Sequence, residues 1–212
     1  MAAAPKPKLL IVDTNAFLRL YSSPVFPLLQ QQFGDYQLLT LPSLIKEFKD
    51  SSRLVGQYPT VAKNPKWANL QSAAIQLSNV MKNQVSKRIK ELKPIANNYL
   101  EDFCDTNNVV VFRQLSSCDA ELLATAVVTR ATIATDEWPL RKVVEYLLED
   151  EDSTYAIALM SSIEVLALLE QNGKVSRDQR IETVQKWIDD GENLLRGWRS
   201  RYAELFGEQA PG

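Results

Sequence analysis

The chain contains no histidine. That absence removes Ser-His-Asp and Cys-His nucleophilic catalysis, zinc sites built on imidazole, and metal-free RNA cleavage by a histidine pair. Cysteine is scarce. Cys104 and Cys118 are too few for a disulfide framework or a structural zinc site, and they read as reduced, partly buried thiols. The seven glycines never fall into G-x-G-x-x-G or G-x-x-x-x-G-K, so neither a dinucleotide fingerprint nor a P-loop is present. No apolar run approaches the length that spans a bilayer, and no membrane association is expected. The segment from Met1 to Lys8 is Ala, Pro and Lys, without the apolar middle of a signal peptide; a cytoplasmic location is the expectation.

The 212 residues suffice for a substantial core in one domain with an appended helical piece. Apolar residues make up 45% and charged residues 24%, the balance of an ordinary globular protein. Net charge is −2. A polyanionic partner would therefore be held by a local basic surface or through cations rather than by a general positive field. The side chains left for catalysis are mostly carboxylates.

Five short apolar runs read as strands. Lys8 to Val12 ends at Asp13 and suits a strand buried on both faces. Tyr36 to Leu41 is stopped by Pro42, with Ser43 as the N-cap of the next helix. Val109 to Phe112, Ala131 to Thr135 and Tyr155 to Met160 complete the set. Helices are expected between them: after Asp13 until Pro24 and Pro27 break the pattern, after Pro42, over Ala120 to Arg130, through Leu140 to Leu148, and from Ser161 or Ser162 to Asn172-Gly173. From Asn64-Pro65 to Phe103, apolar residues recur every three or four positions; this predicts a long amphipathic helix or helix pair, kinked or split at Pro94. Glu149 to Asp152 reads as a solvated turn. Ser176 with Gln179 forms a capping box that opens a last helix, with Ile181, Val184, Trp187, Leu194, Trp198, Tyr202 and Leu205 on one face. This order predicts an α/β fold: three layers, α/β/α, around a five-stranded, mostly parallel sheet, with a long helical insertion and a C-terminal helix. The domain boundaries fall at 1–176, with the insertion at about 64–106, and 177–212.

In open parallel sheets, sites form beyond the carboxyl ends of the strands. Asp13 follows the first strand, Glu47 lies on the helix after the second, Asp119 opens the helix after the third, and Asp136 follows the fourth. Gathered at one rim, these acids would repel each other without cations, and hard divalent ions favour oxygen ligands. The set therefore predicts a site for Mg²⁺ or Mn²⁺ suited to phosphate chemistry. Each acid also has a purely structural role open to it. Asp13 and Asp136 fit as N-caps, Asp119 fits as N3 of a capping box with Ser116, and Glu47 fits as a solvated helix residue.

Ile11-Val12-Asp13-Thr14-Asn15 resembles the opening strand of PIN domains. Leu41-Pro42-Ser43 to Glu47 is similar to their second segment, Ser117-Cys118-Asp119 to Ala126 to their third, and Ile133-Ala134-Thr135-Asp136-Glu137 to their fourth. Ser161 to Ser176 is similar to the closing helix of one PIN subgroup. The likeness covers roughly residues 8–50 and 108–176, and implies a strand order of 3-2-1-4-5. It also implies that Asp13, Glu47, Asp119 and Asp136 are the catalytic, metal-binding acids. Asn15 and Thr135 would orient them through hydrogen bonds, and Glu137 would either add a carboxylate or face solvent. The implied activity is metal-dependent phosphodiester hydrolysis by an endoribonuclease, leaving 5′-phosphate and 3′-hydroxyl ends, with DNA as the alternative substrate. Small PIN proteins include toxins silenced by an antitoxin, so an antitoxin or other protein partner, or a homodimer, follows from the same likeness.

Two basic features stand apart. Lys82, Lys87, Arg88, Lys90 and Lys93 could line a path for a phosphate backbone, or simply solvate a helix face. Arg196, Arg199 and Arg201 lie near Trp198 and Tyr202, a pairing that can hold single-stranded bases, though packing of the aromatics on the core is the plainer account. Two other functions compete with the nuclease. A phosphatase of the haloacid dehalogenase type wants Asp-x-Asp after the first strand, where this chain has Asn15. A PIN-shaped binding or scaffolding module without catalysis fits the same fold.

Overall fold

The computed structural model describes residues 6–25, 31–63, 74–110, 113–149 and 155–212. Its sheet comprises β1 (Lys8–Val12), β2 (Gln32–Phe33), β3 (Tyr36–Leu39), β4 (Thr132–Ala134) and β5 (Ala158–Met160), in the spatial order β2-β3-β1-β4-β5. All neighbours are parallel except β2 and β3, which form an antiparallel hairpin turning at Gly34. Ten helices are described: α1 (Thr14–Tyr21), α2 (Pro42–Asp50), α3 (Ser52–Gln57), α4 (Pro59–Ala62), α5 (Asn79–Thr106), α6 (Ser117–Thr129), α7 (Trp138–Glu149), α8 (Ser162–Gln171), α9 (Arg177–Asp189) and α10 (Trp198–Phe206).

Alternation along β1 divides the core. Leu10 and Val12 face one apolar cluster with Phe17, Leu166, Trp187 and Tyr202, whereas Ile11 faces a second with Leu44, Leu100, Leu123 and Val144. Successive strand residues point to opposite faces, so helices cover both sides of the sheet. Residues 10–12 are wholly buried for that reason. In α5 the buried residues Val85, Leu92, Ala96, Leu100 and Cys104 recur seven or four positions apart, one stripe that packs along α6.

Several expectations are corrected. Val109 and Val110 belong to no strand, and Val110 is 98% exposed; Val111 and Phe112 lie outside the described residues. The edge place implied for that strand is taken by β2, and β-branched composition alone does not make a strand. The second strand ends at Leu39, with Thr40 bridging to Ala74. Pro42, not Ser43, opens α2: its missing N–H and fixed φ suit N1, with Leu41 as N-cap. Pro94 sits inside the continuous helix α5 and does not split it. That helix starts after the N-cap Ser78; Asn64, Pro65, Trp67 and Leu70 lie outside the described residues, as do Pro27 and Asp150 to Asp152. Glu149 ends α7 rather than forming a turn. The single last helix is two helices, α9 and α10, interrupted where Gly191 and Gly197 adopt positive φ. Tyr202 is fully buried, as the plainer account of that segment expects.

Candidate active site

The parallel strands β1, β3, β4 and β5 end at one rim, and the chain stays paired just past them. The Asp13 N–H donates to the Ala134 carbonyl at 3.0 Å, and the Thr135 N–H to the Met160 carbonyl at 2.9 Å. Asp13 is 2% exposed. Its Oδ1 accepts the Ala16 N–H at 2.5 Å, capping α1. Its Oδ2 is buried and has no hydrogen-bond partner among the described residues. Burial, and the nearby charge of Glu137, push the Asp13 carboxyl up to about 8, against the pull of the Thr135 hydroxyl, the Ala16 N–H and Arg19. A cap therefore explains one oxygen of Asp13 and not the other.

The residues after Asp13 gather two more acids. The Thr14 hydroxyl donates to Glu47 Oε2 on α2, and Asn15 Nδ2 donates to Glu137 Oε1. The Thr135 hydroxyl accepts the Glu137 N–H at 3.0 Å, fixing the turn that presents this carboxylate. Burial raises the Glu137 carboxyl, and the charges of Asp119 and Glu47 raise it further. Asp119 forms a reciprocal capping box with Ser116, so its structural role is present. Cys118, beside it, is half-buried; burial, then Glu47 and Asp119, push its thiol up to about 11, leaving it an inert thiol. Glu137 is thus the hub of these acids: its charge raises Asp13, and the charges of Asp119 and Glu47 raise Glu137 itself.

Asp136 stands differently from the other three expected acids. Its Oδ2 is ion-paired with Arg19, and its Oδ1 accepts the first N–H of α8, that of Ser162, at 3.1 Å, beside the Ser161–Glu164 capping box of that helix. Asp136 and Glu137 both line the cleft with Asp13; Arg19 holds the Asp136 carboxylate, while Glu137 is the acid whose charge raises Asp13.

A cleft of about 850 Å³ opens over this rim, lined by Asp13, Asn15, Asp136 and Glu137 on the sheet side and by residues 191–196 on the other. Glu47, Asp119 and Thr135 are not among its lining residues. None of the five basic residues between Lys82 and Lys93 lines it either; Lys87 and Arg88 pair with Glu91, and Lys93 donates to Ser117 Oγ at 3.3 Å. Among the described residues, no three Asp, Glu or Cys side chains stand close enough to share one ion as placed. The donors present nonetheless suit a hard divalent cation: they are carboxylate oxygens that repel one another, and one of them is buried and unpartnered.

Sequence reasoning missed Arg19. It is 2% exposed and joins Asp136, Ser162 Oγ and Glu192. The signal was present, since Arg19 is the one charge in the apolar run from Ala16 to Leu20. The role of residues 191–196 as a cleft wall had no such signal. Comparison with known proteins returns no match: no family model, no curated protein and no solved structure is similar enough to this chain to be matched.

Proposed function

We propose that this chain is a metal-dependent nuclease of PIN-like architecture that hydrolyses phosphodiester bonds, with RNA as its substrate. The observation that carries the reading is that Asp13 and Glu137 line one cleft at the carboxyl rim of a parallel sheet, with Glu47 held by Thr14 and Asp119 near enough to raise Glu137. Asp13 and Glu137 would hold a Mg²⁺ or Mn²⁺ ion, with Asp119 and Glu47 beside them. Such an ion supplies Lewis acidity, easing ionisation of water and offsetting charge on the phosphate. The protein's own part is positional. Asn15 fixes Glu137, Thr14 fixes Glu47, and Thr135 holds the turn that presents Glu137. Arg19 pairs with Asp136, whose other oxygen accepts the Ser162 N–H, and this limits the negative charge the cation must offset.

The test is a phosphodiesterase assay on RNA and DNA with Mg²⁺ or Mn²⁺. Asp13→Asn and Asp119→Asn are expected to lower the rate by about 100-fold or more. Unchanged activity in both variants rejects the site.

A second reading has an observation of its own. With Asp136 tied to Arg19, the acidic group lacks one carboxylate that the family resemblance requires, which favours a PIN-shaped binding module without catalysis. Calorimetry with Mn²⁺ separates the two, because negligible binding supports the module.

A further inference from the structure

We infer that Arg53, Arg113 and Arg196 form a rim that grips the phosphates of a phosphodiester strand crossing the cleft, and that Glu192 is the positioning residue for Arg196. The inference extends the nuclease reading to its substrate and rests on that reading for where the scissile bond would lie.

The three arginines come from distant parts of the chain: α3, the segment before α6, and the segment before α10. All three are exposed and line the cleft. Among the described residues none of them has an ion pair or a hydrogen bond, although the cleft floor is acidic. Arg19, the buried cation of that floor, is already occupied by Asp136 and Glu192. Three free guanidinium groups around a carboxylate floor suit a ligand that is anionic along its length and meets cations at its centre. Arginine's fork matches phosphate oxygens. Half-buried Trp138 lines the same cleft and offers a ring on which a base can stack, which favours a nucleic acid strand over an acidic peptide.

Arg196 owes its place to a buried set of contacts. The Glu192 carboxylate accepts from Arg19 Nε at 3.2 Å and from the Tyr58 hydroxyl. Arg19 Nη2 donates to the Asn193 carbonyl at 3.3 Å, and the Glu192 N–H to the Trp187 carbonyl at 2.9 Å. Gly191 makes the turn at φ +68°. The wall that carries Arg196 is thereby fastened to the same guanidinium that holds Asp136.

Binding of a short fluorescein-labelled RNA, read by anisotropy with Ca²⁺ in place of Mg²⁺ over a series of salt concentrations, tests both parts. The triple variant Arg53→Ala/Arg113→Ala/Arg196→Ala is expected to bind at least about 10-fold more weakly and to lose about 2 from the salt slope, near 0.7 per phosphate contact. Arg196→Ala and Glu192→Gln are each expected to lose about one contact, and the double variant no more than either alone, a result that general destabilisation would not give. An unchanged slope in the triple variant, additive losses in the double variant, no RNA binding by the wild type, or equal competition by polyglutamate overturns the inference. So does loss of binding on charge reversal of Lys87, Arg88 and Lys90 with none in the triple variant. The two readings fail separately. Cleavage by the wild type with unchanged binding by the triple variant removes the rim alone, whereas rim-dependent binding without any cleavage removes the nuclease alone.

Discussion

The side-chain amide of Asn15 donates to the carboxylate of Glu137, 122 residues away in the chain. The bond ties the start of α1 to the turn after β4, across the seam between the adjacent strands β1 and β4. It also places Glu137 where its charge disfavours ionisation of Asp13. Several measurable consequences rest on this crowding.

Stability of the metal-free protein should depend on pH in an unusual direction. The Asp13 carboxyl is raised from 3.8 in the unfolded chain to about 8 in the folded one. Between those values the folded state binds more protons than the unfolded state, so stability falls as pH rises from about 4 to about 8 and then levels. Urea unfolding in EDTA at several pH values measures the slope. Asp13→Asn keeps the cap on Ala16, removes the charge, and should flatten this slope while stabilising the protein at pH 8 by about 1–2 kcal/mol. A slope unchanged by the substitution would separate Asp13 from the effect.

Divalent cations should reverse this penalty. Mn²⁺ at a hundred times its dissociation constant stabilises by about 2.7 kcal/mol, which for a chain of this size is a rise in Tm of about 5–10 °C. Asp13→Asn should abolish most of that rise in a thermal melt. Equal rises in wild type and variant would place the cation elsewhere.

Arg19→Ala removes the guanidinium between Asp136 and Glu192 and leaves both carboxylates buried at the ends of broken pairs. Loss of one partner from a buried pair costs about 3–5 kcal/mol. The expected result is a large drop in the urea midpoint with an unchanged m-value; a loss under about 1 kcal/mol would show that water replaces the contact.

Gly34 turns the β2–β3 hairpin at φ +51°, and a Cβ there would lie 2.7 Å from Asn172 Oδ1. Gly34→Ala combines a strained backbone with that close approach and should cost about 1–2 kcal/mol. Removing the clash with Asn172→Ala should recover only part of the loss, since the φ strain remains; full recovery would assign the whole cost to the contact.

What the sequence determined by itself was local. Periodicity and capping chemistry marked the α/β order, the starts of α1 and α9, the boundaries of α6 and α8, and the acids that follow β1 and β4, because a run such as Leu10 to Val12 or a box such as Ser116 with Asp119 is encoded within a few residues. Half-buried Val109 and exposed Val110 misled for the complementary reason: a strand needs a partner strand, and composition does not report one. Tertiary structure alone decided which acids share a charge environment. Asp136 and Glu137 are neighbours in the chain, yet Arg19 and the Ser162 N–H claim the first, while Asn15 turns the second toward Asp13. It also decided that residues 191–196 wall the cleft. Both outcomes depend on Arg19 or Asn15 meeting acids more than a hundred residues away, and the balance between burying a charge and pairing it is set only when the chain brings them together.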